Sequence, residues 1–221
     1  MGDHLHDHSV LVVGLGRFGS SLALALSRLG HEVLGVDSRM ELVQEYSGRL
    51  THVVQADATS EAALRQIGAP DLDVAVVAIG SDIEASVLAT GALIDLGIRE
   101  VWAKAITSAH GRILERIGAN HVVFPEAEVG ERVAHLLSGK MIDFIQFDDD
   151  FAIVKTKAPA EAHGRTLGES ALRTRYGVTI VGVKRPGKEF TYARPETEVH
   201  QGDLLIVAGT TKAVERFAAV T

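Results

Sequence analysis

Four apolar residues, a glycine-rich turn and a helix-period pattern follow one another without a break from Val10 to Leu26. The turn reads Gly14-Leu15-Gly16-Arg17-Phe18-Gly19. This succession of strand, tight turn and helix N-terminus constrains the fold more than any other stretch. It gathers free backbone N–H groups and the positive end of a helix dipole at one point, which suits a phosphate. The three glycines have separate tasks: the turn itself, close approach of phosphate to backbone, and close packing of helix on strand. Gly14, Gly16 and Gly19 are therefore candidate phosphate-binding residues, with Arg17 and Phe18 inside the same turn.

The next apolar stretch, Glu32 to Asp37, reads as a second strand that ends in a carboxylate 23 residues after Gly14. An acid in that place accepts hydrogen bonds from ribose hydroxyls and repels a 2′-phosphate, so NADP is disfavoured. The competing role for Asp37 is to cap a helix beginning near Met40.

At 221 residues the chain exceeds one average domain and falls short of two full-sized ones. An apolar fraction of 46% with 23% charged residues is that of an ordinary globular protein. No run approaches the roughly 18–20 apolar residues that span a bilayer, so direct membrane insertion is not expected. The basic and apolar regions of a signal peptide are missing, and the lack of cysteine suits a cytoplasmic protein. A net charge of −7 argues against a nucleic-acid partner, which needs clustered Lys and Arg. The alternating His4, His6 and His8 read as a solvated leader rather than a metal site.

From Ser9 to about Lys140, strands and helices alternate six times. Strands fit 9–14, 32–37, 51–55, 73–79, 100–105 and 121–124; helices fit 17–29, 39–48, 60–67, 83–96, 108–117 and 126–138. Continuous apolar runs such as Val74-Ala75-Val76-Val77-Ala78-Ile79 mark strands buried on both faces. The expectation is an α/β domain over 1–140, a Rossmann-type doubly wound parallel sheet with right-handed crossovers. Six strands and five helices complete that unit. The stripe of the sixth helix, with Val129, Val133, Leu136 and Leu137 on one face and Met141 and Ile142 beyond, either packs on the sheet, as is usual, or crosses into a partner and forms a dimer, the reading favoured here.

After Lys140 the texture changes. Asp148-Asp149-Asp150 is a polar break, better read as a solvated turn than as a cation site. Short strands are expected near 152–157, 178–184 and 203–208, a small helix over 167–172, a hairpin turn at Arg185-Pro186-Gly187-Lys188, and a terminal helix over 211–219. This is a small α+β C-terminal domain over 141–221, of a size that often needs a partner to bury enough apolar surface.

Nearly the whole chain resembles the RCK (KTN/TrkA-type) regulatory proteins of bacterial potassium uptake, in particular the short Ktr-type gating subunits. The motifs that carry the resemblance are the glycine turn with Arg17, Asp37, Ala56-Asp57-Ala58-Thr59, Ile79-Gly80-Ser81-Asp82, Val101 to Ala105, Ile117-Gly118-Ala119, Phe124-Pro125-Glu126, Tyr176-Gly177-Val178, the Pro195 loop and Gln201 to Val207. Two positions depart from the family pattern: Ala56 stands where glycine is usual, and Asp82 where asparagine is frequent. The resemblance implies a homodimer assembling into a ring of eight copies on the cytoplasmic face of a potassium-translocating membrane subunit of the Ktr or Trk type. Exchange of ATP and ADP would change the ring's shape and gate transport. It further implies that Gly14, Gly16, Arg17 and Gly19 hold phosphates, Asp37 the ribose, and Asp57 with Ala58 the adenosine end, with Phe18, Ser38, Thr59, Ile79 and Gly80 also part of the cofactor site. Lys104, in an otherwise apolar strand, becomes a phosphate contact; the alternative is a lysine snorkelling to solvent.

Beside a polyphosphate, Glu126 repels unless a divalent cation lies between them. Mg²⁺ or Ca²⁺, shared by Glu126 and a γ-phosphate, then distinguishes ATP from ADP. Otherwise Glu126 is a first-turn acid favoured by the helix dipole. Arg17 is suited to reading a terminal phosphate across a subunit interface. In some relatives the dimer of C-terminal lobes binds cyclic di-AMP in an apolar, partly positive pocket, for which Ile180, Lys184, Arg185 and Pro195 are candidate linings here. Two other readings stay open: a sensor of NAD/NADH using the same cleft, and an NAD-dependent dehydrogenase. The second needs a general acid or base facing the nicotinamide. His163 and His200 sit in loop-like settings without an organised partner, and His110 reads as a surface or capping residue.

Overall fold

A computed structural model of the chain describes residues 9–138, 140–148 and 150–221. His4, His6, His8 and Asp149 lie outside the described residues. Contacts divide the chain into two units, one ending at Glu126 and the other running from Ala127 to Thr221.

The first unit runs β1 (Val10–Val13), α1 (Arg17–Arg28), β2 (Val33–Asp37), α2 (Met40–Tyr46), β3 (His52–Gln55), α3 (Glu61–Gln66), β4 (Val74–Val77), α4 (Ile83–Asp95), β5 (Glu100–Lys104), α5 (Ser108–Arg116) and β6 (His121–Val123). All twelve expected strands and helices up to residue 138 occur within two residues of their predicted ends. The six strands form one parallel sheet in the order β3-β2-β1-β4-β5-β6. The doubly wound α/β fold is thus as expected, and its order reverses between β1 and β4, where such sheets open a crevice at the strands' carboxyl ends.

The period of two in each strand divides the sheet's side chains between two cores. Leu11, Val13, Ala75, Val77, Val101 and Ala103 face one way and pack with Leu64, Ala89, Leu93 and Leu114 of α3, α4 and α5. Val10, Val12, Val33 and Val76 face the other and pack with Ala23, Leu22, Leu26 and Leu42 of α1 and α2. The inner strands β1, β2, β4 and β5 are held on both faces, which fixes their ends, and with them the loops that follow.

Helix α6 (Pro125–Ser138) leads into β7 (Met141–Asp148), β8 (Phe151–Lys157), β9 (Arg165–Thr166), α7 (Leu167–Ser170), α8 (Leu172–Tyr176), β10 (Thr179–Lys184), β11 (Phe190–Tyr192), β12 (Glu198–Val199), β13 (Leu204–Thr210) and α9 (Thr211–Ala219). The second unit holds an antiparallel sheet, β11-β10-β13-β8-β7, and a two-stranded pair, β12-β9. Val214 and Phe217 of α9 are fully buried against Val154, Leu205 and Val207. Pro186 and Gly187, with φ +72 at the glycine, make the expected turn between β10 and β11.

Four strands of this unit were not expected. The largest, β7, takes up Met141 and Ile142, which the sequence reading had placed beyond the helical stripe. Met141 is buried with Phe144 in a strand of the core sheet. The stripe itself is also divided: Val129, Val133 and Leu137 are exposed, whereas Leu136 packs on the second unit's core. Asp148 pairs in register with Phe151, so the polar break is the connection of a hairpin, with Asp150 exposed in its turn.

Candidate functional site

The glycine turn is built as its residue types require. Gly14 lies at φ +90, a region that disfavours side chains, and its N–H donates to Val36 O at 2.7 Å. A Cβ on Gly19 would stand 1.8 Å from Gly14 O, so only glycine lets α1 start this close to β1. Gly16 is the N-cap of α1 and supplies no side-chain cap, which leaves first-turn N–H groups facing outward for an anion.

Asp37 ends β2 with its side chain 5% exposed. Its Oδ2 accepts from Leu15 N at 2.7 Å and from Arg39 Nη2 at 3.3 Å; its Oδ1 accepts from Arg39 N at 2.9 Å and Arg39 Nε at 3.1 Å. Burial, the largest single influence, pushes the Asp37 carboxyl up. The bonds from Arg39 and Leu15 together outweigh it and hold the group below the ordinary carboxylate range. The carboxylate thus ties the glycine turn to the end of β2, while Arg39, with its side chain 60% exposed, covers it from solvent. Helix α2 has no side-chain cap, and no bond from Asp37 reaches its first turn beyond Arg39.

On the other side of the turn, Lys104 ends β5 with its side chain only 9% exposed. Its Nζ donates to Glu126 Oε1 at 2.5 Å and lies 5.5 Å from the centroid of the Phe18 ring. A Cβ on Gly80 would stand 3.0 Å from that Nζ, so glycine keeps open the passage that the lysine uses. Lys104 therefore ends on a carboxylate rather than snorkelling to solvent. Glu126, 66% exposed, is held below the usual carboxylate range first by the bond from Lys104, with Arg17 adding a weaker pull.

Between these two clusters lies a cleft of about 330 Å³. Gly14, Gly16, Asp37, Ser38, Asp57, Ala58, Thr59, Ile79 and Gly80 of the predicted set line it. Arg17, Phe18, Gly19, Lys104 and Glu126 stand outside its lining, with Lys104 reaching its edge behind Gly80. Asp57 Oδ1 accepts from the Thr59 N–H at 2.9 Å and its hydroxyl at 2.7 Å, bonds that lower the Asp57 carboxyl, and Ser38 O accepts from Gln55 Nε2. Asp82 Oδ1 caps α4 through Ala85 N at 3.0 Å. The lining thus carries Asp37, Asp57 and Asp82 against a single cation, Arg39, so a polyanion is favoured only at the Lys104 and Arg17 end. Arg39 was not singled out in the sequence; its signal is a cation two residues beyond the strand-end acid.

Elsewhere two histidine readings change. His110 is 2% exposed rather than a surface group: Thr107 Oγ1 caps its N–H, its Nδ1 accepts from Ile106 N at 3.4 Å, and its Nε2 has no partner among the described residues. His200 has an organised partner after all, since its Nδ1 accepts from Arg185 Nη2 at 2.6 Å beside the buried Asp203. His163 Nε2 lies 3.2 Å from Ala158 O. Within the single chain, the four residues offered as linings of a dimer pocket do not share the second unit's cleft. Ile180 packs on the core, Lys184 Nζ donates to Lys188 O, and Pro195 O accepts from Gly168 N. Only Arg185 of the four lines the second unit's cleft of about 620 Å³, with Lys188, Thr191, Glu198 and His200. Among the described residues no three His, Asp or Glu side chains converge as a metal site, and no helix is long and apolar enough to cross a membrane.

Comparison with known proteins agrees with this architecture. The family model for the TrkA-N domain matches residues 10–125, and that for the TrkA-C domain residues 151–220. The chain is 39% identical over 208 residues to Ktr system potassium uptake protein C of Bacillus subtilis (strain 168), covering 93% of this chain and 94% of that one. It is 37% identical over 207 residues to Ktr system potassium uptake protein A of the same organism, covering 93% of each. A solved structure of the GsuK channel bound to NAD shares the fold with a TM-score of 0.65 at 20% identity, over 96% of this chain. This chain spans 39% of that one.

Proposed function

This chain belongs to the TrkA-N/TrkA-C (RCK) family, and from that premise we propose that it is a regulatory subunit which binds ATP and ADP and gates a potassium-translocating membrane protein. The observation that carries the reading is the pairing of Lys104 with Glu126 beside the uncapped start of α1. A cation and free N–H groups converge there on the place where a terminal phosphate arrives, with a carboxylate in reserve. Asp37 accepts from the ribose; Asp57, Ala58 and Ile79 line the adenosine end; Gly14, Gly16 and Gly19 let the phosphates approach the backbone.

The donor set fits a divalent cation only together with a ligand. Glu126 is a single, exposed carboxylate engaged by Lys104, and becomes a cation ligand once phosphate takes Lys104 from it. Mg²⁺ or Ca²⁺ would supply the positive charge that lets Glu126 and a third phosphate lie together. Arg17, exposed at the start of α1, is free to reach a phosphate held by a second copy. The exposed Val129, Val133 and Leu137 suit a dimer interface within a ring, the full ring having eight copies on the cytoplasmic face of the membrane. A 100-fold preference of one ring shape for ATP supplies roughly 2.7 kcal/mol per site.

The test is potassium flux into vesicles that carry a Ktr-type membrane subunit with this chain bound. Flux faster in ATP than in ADP supports the reading, and equal flux contradicts it. A sensor of NAD and NADH is the second reading, because Asp37 serves the adenosine ribose of either ligand. A dehydrogenase needs a proton-transfer group toward the cleft, where the titratable side chains are Asp37, Arg39, Asp57 and Asp82.

A further inference from the structure

An ionised carboxylate offers about four lone-pair sites. Those of Asp37 meet four donors: Leu15 N and Arg39 Nη2 on Oδ2, Arg39 N and Arg39 Nε on Oδ1. Two of the four are backbone N–H groups belonging to the glycine turn and to the N-cap of α2, and these stay as long as the fold does. The other two come from one exposed guanidinium, and they take one site on each oxygen.

A ribose presents two neighbouring hydroxyls. For both to donate to Asp37, one site on each oxygen must be released, and the Arg39 side chain holds one on each. We propose that Arg39 is a specificity-determining residue that stands in for the ribose diol on Asp37, yielding Nε and Nη2 when a ribonucleotide binds. The inference rests on the reading of Asp37 as the ribose ligand. Arg39 then acts as an internal competitor. With a 2′-deoxy sugar it gives up one bond and keeps the other, so the lost hydroxyl is partly replaced. Without Arg39 nothing replaces it.

The experiment is titration of the full chain with ATP and with 2′-deoxy-ATP, in wild type, Arg39→Ala and Arg39→Gln. The ratio of the two affinities within each protein cancels the general attraction of Arg39 for phosphates. The exposed, salt-screened character of the pair sets the effect at about two- to five-fold. The preference for ATP over its deoxy analogue rises by that factor in both variants. A preference that stays the same or falls overturns the proposal, as does a wild type that binds no ribonucleotide. If NAD binds and ATP does not, the ATP reading fails alone; the same ratio is then read with NAD and its 2′-deoxyadenosine analogue.

Discussion

Lys104 Nζ and Glu126 Oε1 stand 2.5 Å apart, the lysine at the buried end of β5 and the glutamate in the exposed first turn of α6. Two strand ends near the glycine turn, those of β2 and β5, therefore carry matched devices. At β2, Asp37 is covered by Arg39; at β5, Lys104 is covered by Glu126. In both, a buried charge is neutralised by an exposed one.

The Lys104 pair separates two effects that a single variant would merge. Lys104→Met removes the phosphate donor, and affinity for ATP and ADP falls about ten-fold or more, as loss of a charge-assisted bond implies. Glu126→Gln removes the competitor for Lys104, so ADP binding without divalent cation is unchanged or tighter. Titration of both variants with ADP in chelator checks this; a matching loss in both contradicts it.

Glycines of the site divide by what a methyl group would meet. Gly19→Ala drives a Cβ into Gly14 O, and costs about 3 kcal/mol or more by urea unfolding. Gly80→Ala presses on the end of the Lys104 side chain at 3.0 Å and meets Ile106 Cγ2 only at an ordinary contact distance of 3.7 Å. It leaves stability within about 1 kcal/mol and weakens phosphate binding by displacing that lysine. Equal destabilisation in the two would mean that the Lys104 passage is not what Gly80 provides.

Much of this was legible in the sequence because one local pattern recurs. Each buried parallel strand is an apolar run closed by a glycine or a polar residue, and the chemistry hangs at its carboxyl end. Asp37 and Lys104 were found that way. Arg39 was not, because its role comes from a bond back to Asp37 rather than from periodicity. His110 looked like a helix-opening surface residue, and its burial depends on how α5 lies on the sheet. In the second unit β7 was hidden because its apolar residues continue a helical stripe. The strands β9 and β12, two residues each, are too short to show any period.

Burial pushes the His110 imidazole below its ordinary value. The unfolded chain, with a pKa of about 6.5, then takes up a proton before the folded chain does. Stability is retained above about pH 6.5 and declines as the pH falls below it. Urea midpoints at pH 7.5 and 5.5 check this: the drop is smaller in His110→Gln than in wild type, and an equal drop in both removes His110 as its source.

Asp203 is fully buried, and accepts from Arg185 Nε at 3.0 Å, Arg185 Nη2 at 3.2 Å and His200 N at 2.9 Å. Burial raises its carboxyl most, and these bonds together overcome that and lower it. Its contribution to stability is present above about pH 4 and is lost as the pH falls through the lower folded value. Asp203→Asn costs about 1–3 kcal/mol at pH 7 in the second unit's unfolding and flattens the acid limb. An unchanged acid limb would assign that titration elsewhere.

The central claim is that the cleft selects adenine nucleotides by their terminal phosphate, with Glu126 completing a cation site. Calorimetric titration with ATP, ADP, NAD and NADH, with and without Mg²⁺ or Ca²⁺, tests it in wild type and in Glu126→Gln. Tight ATP and ADP binding is expected, with a gain for ATP on adding the cation and loss of that gain in the variant. A preference for NAD or NADH, indifferent to cations and to Glu126, would contradict it.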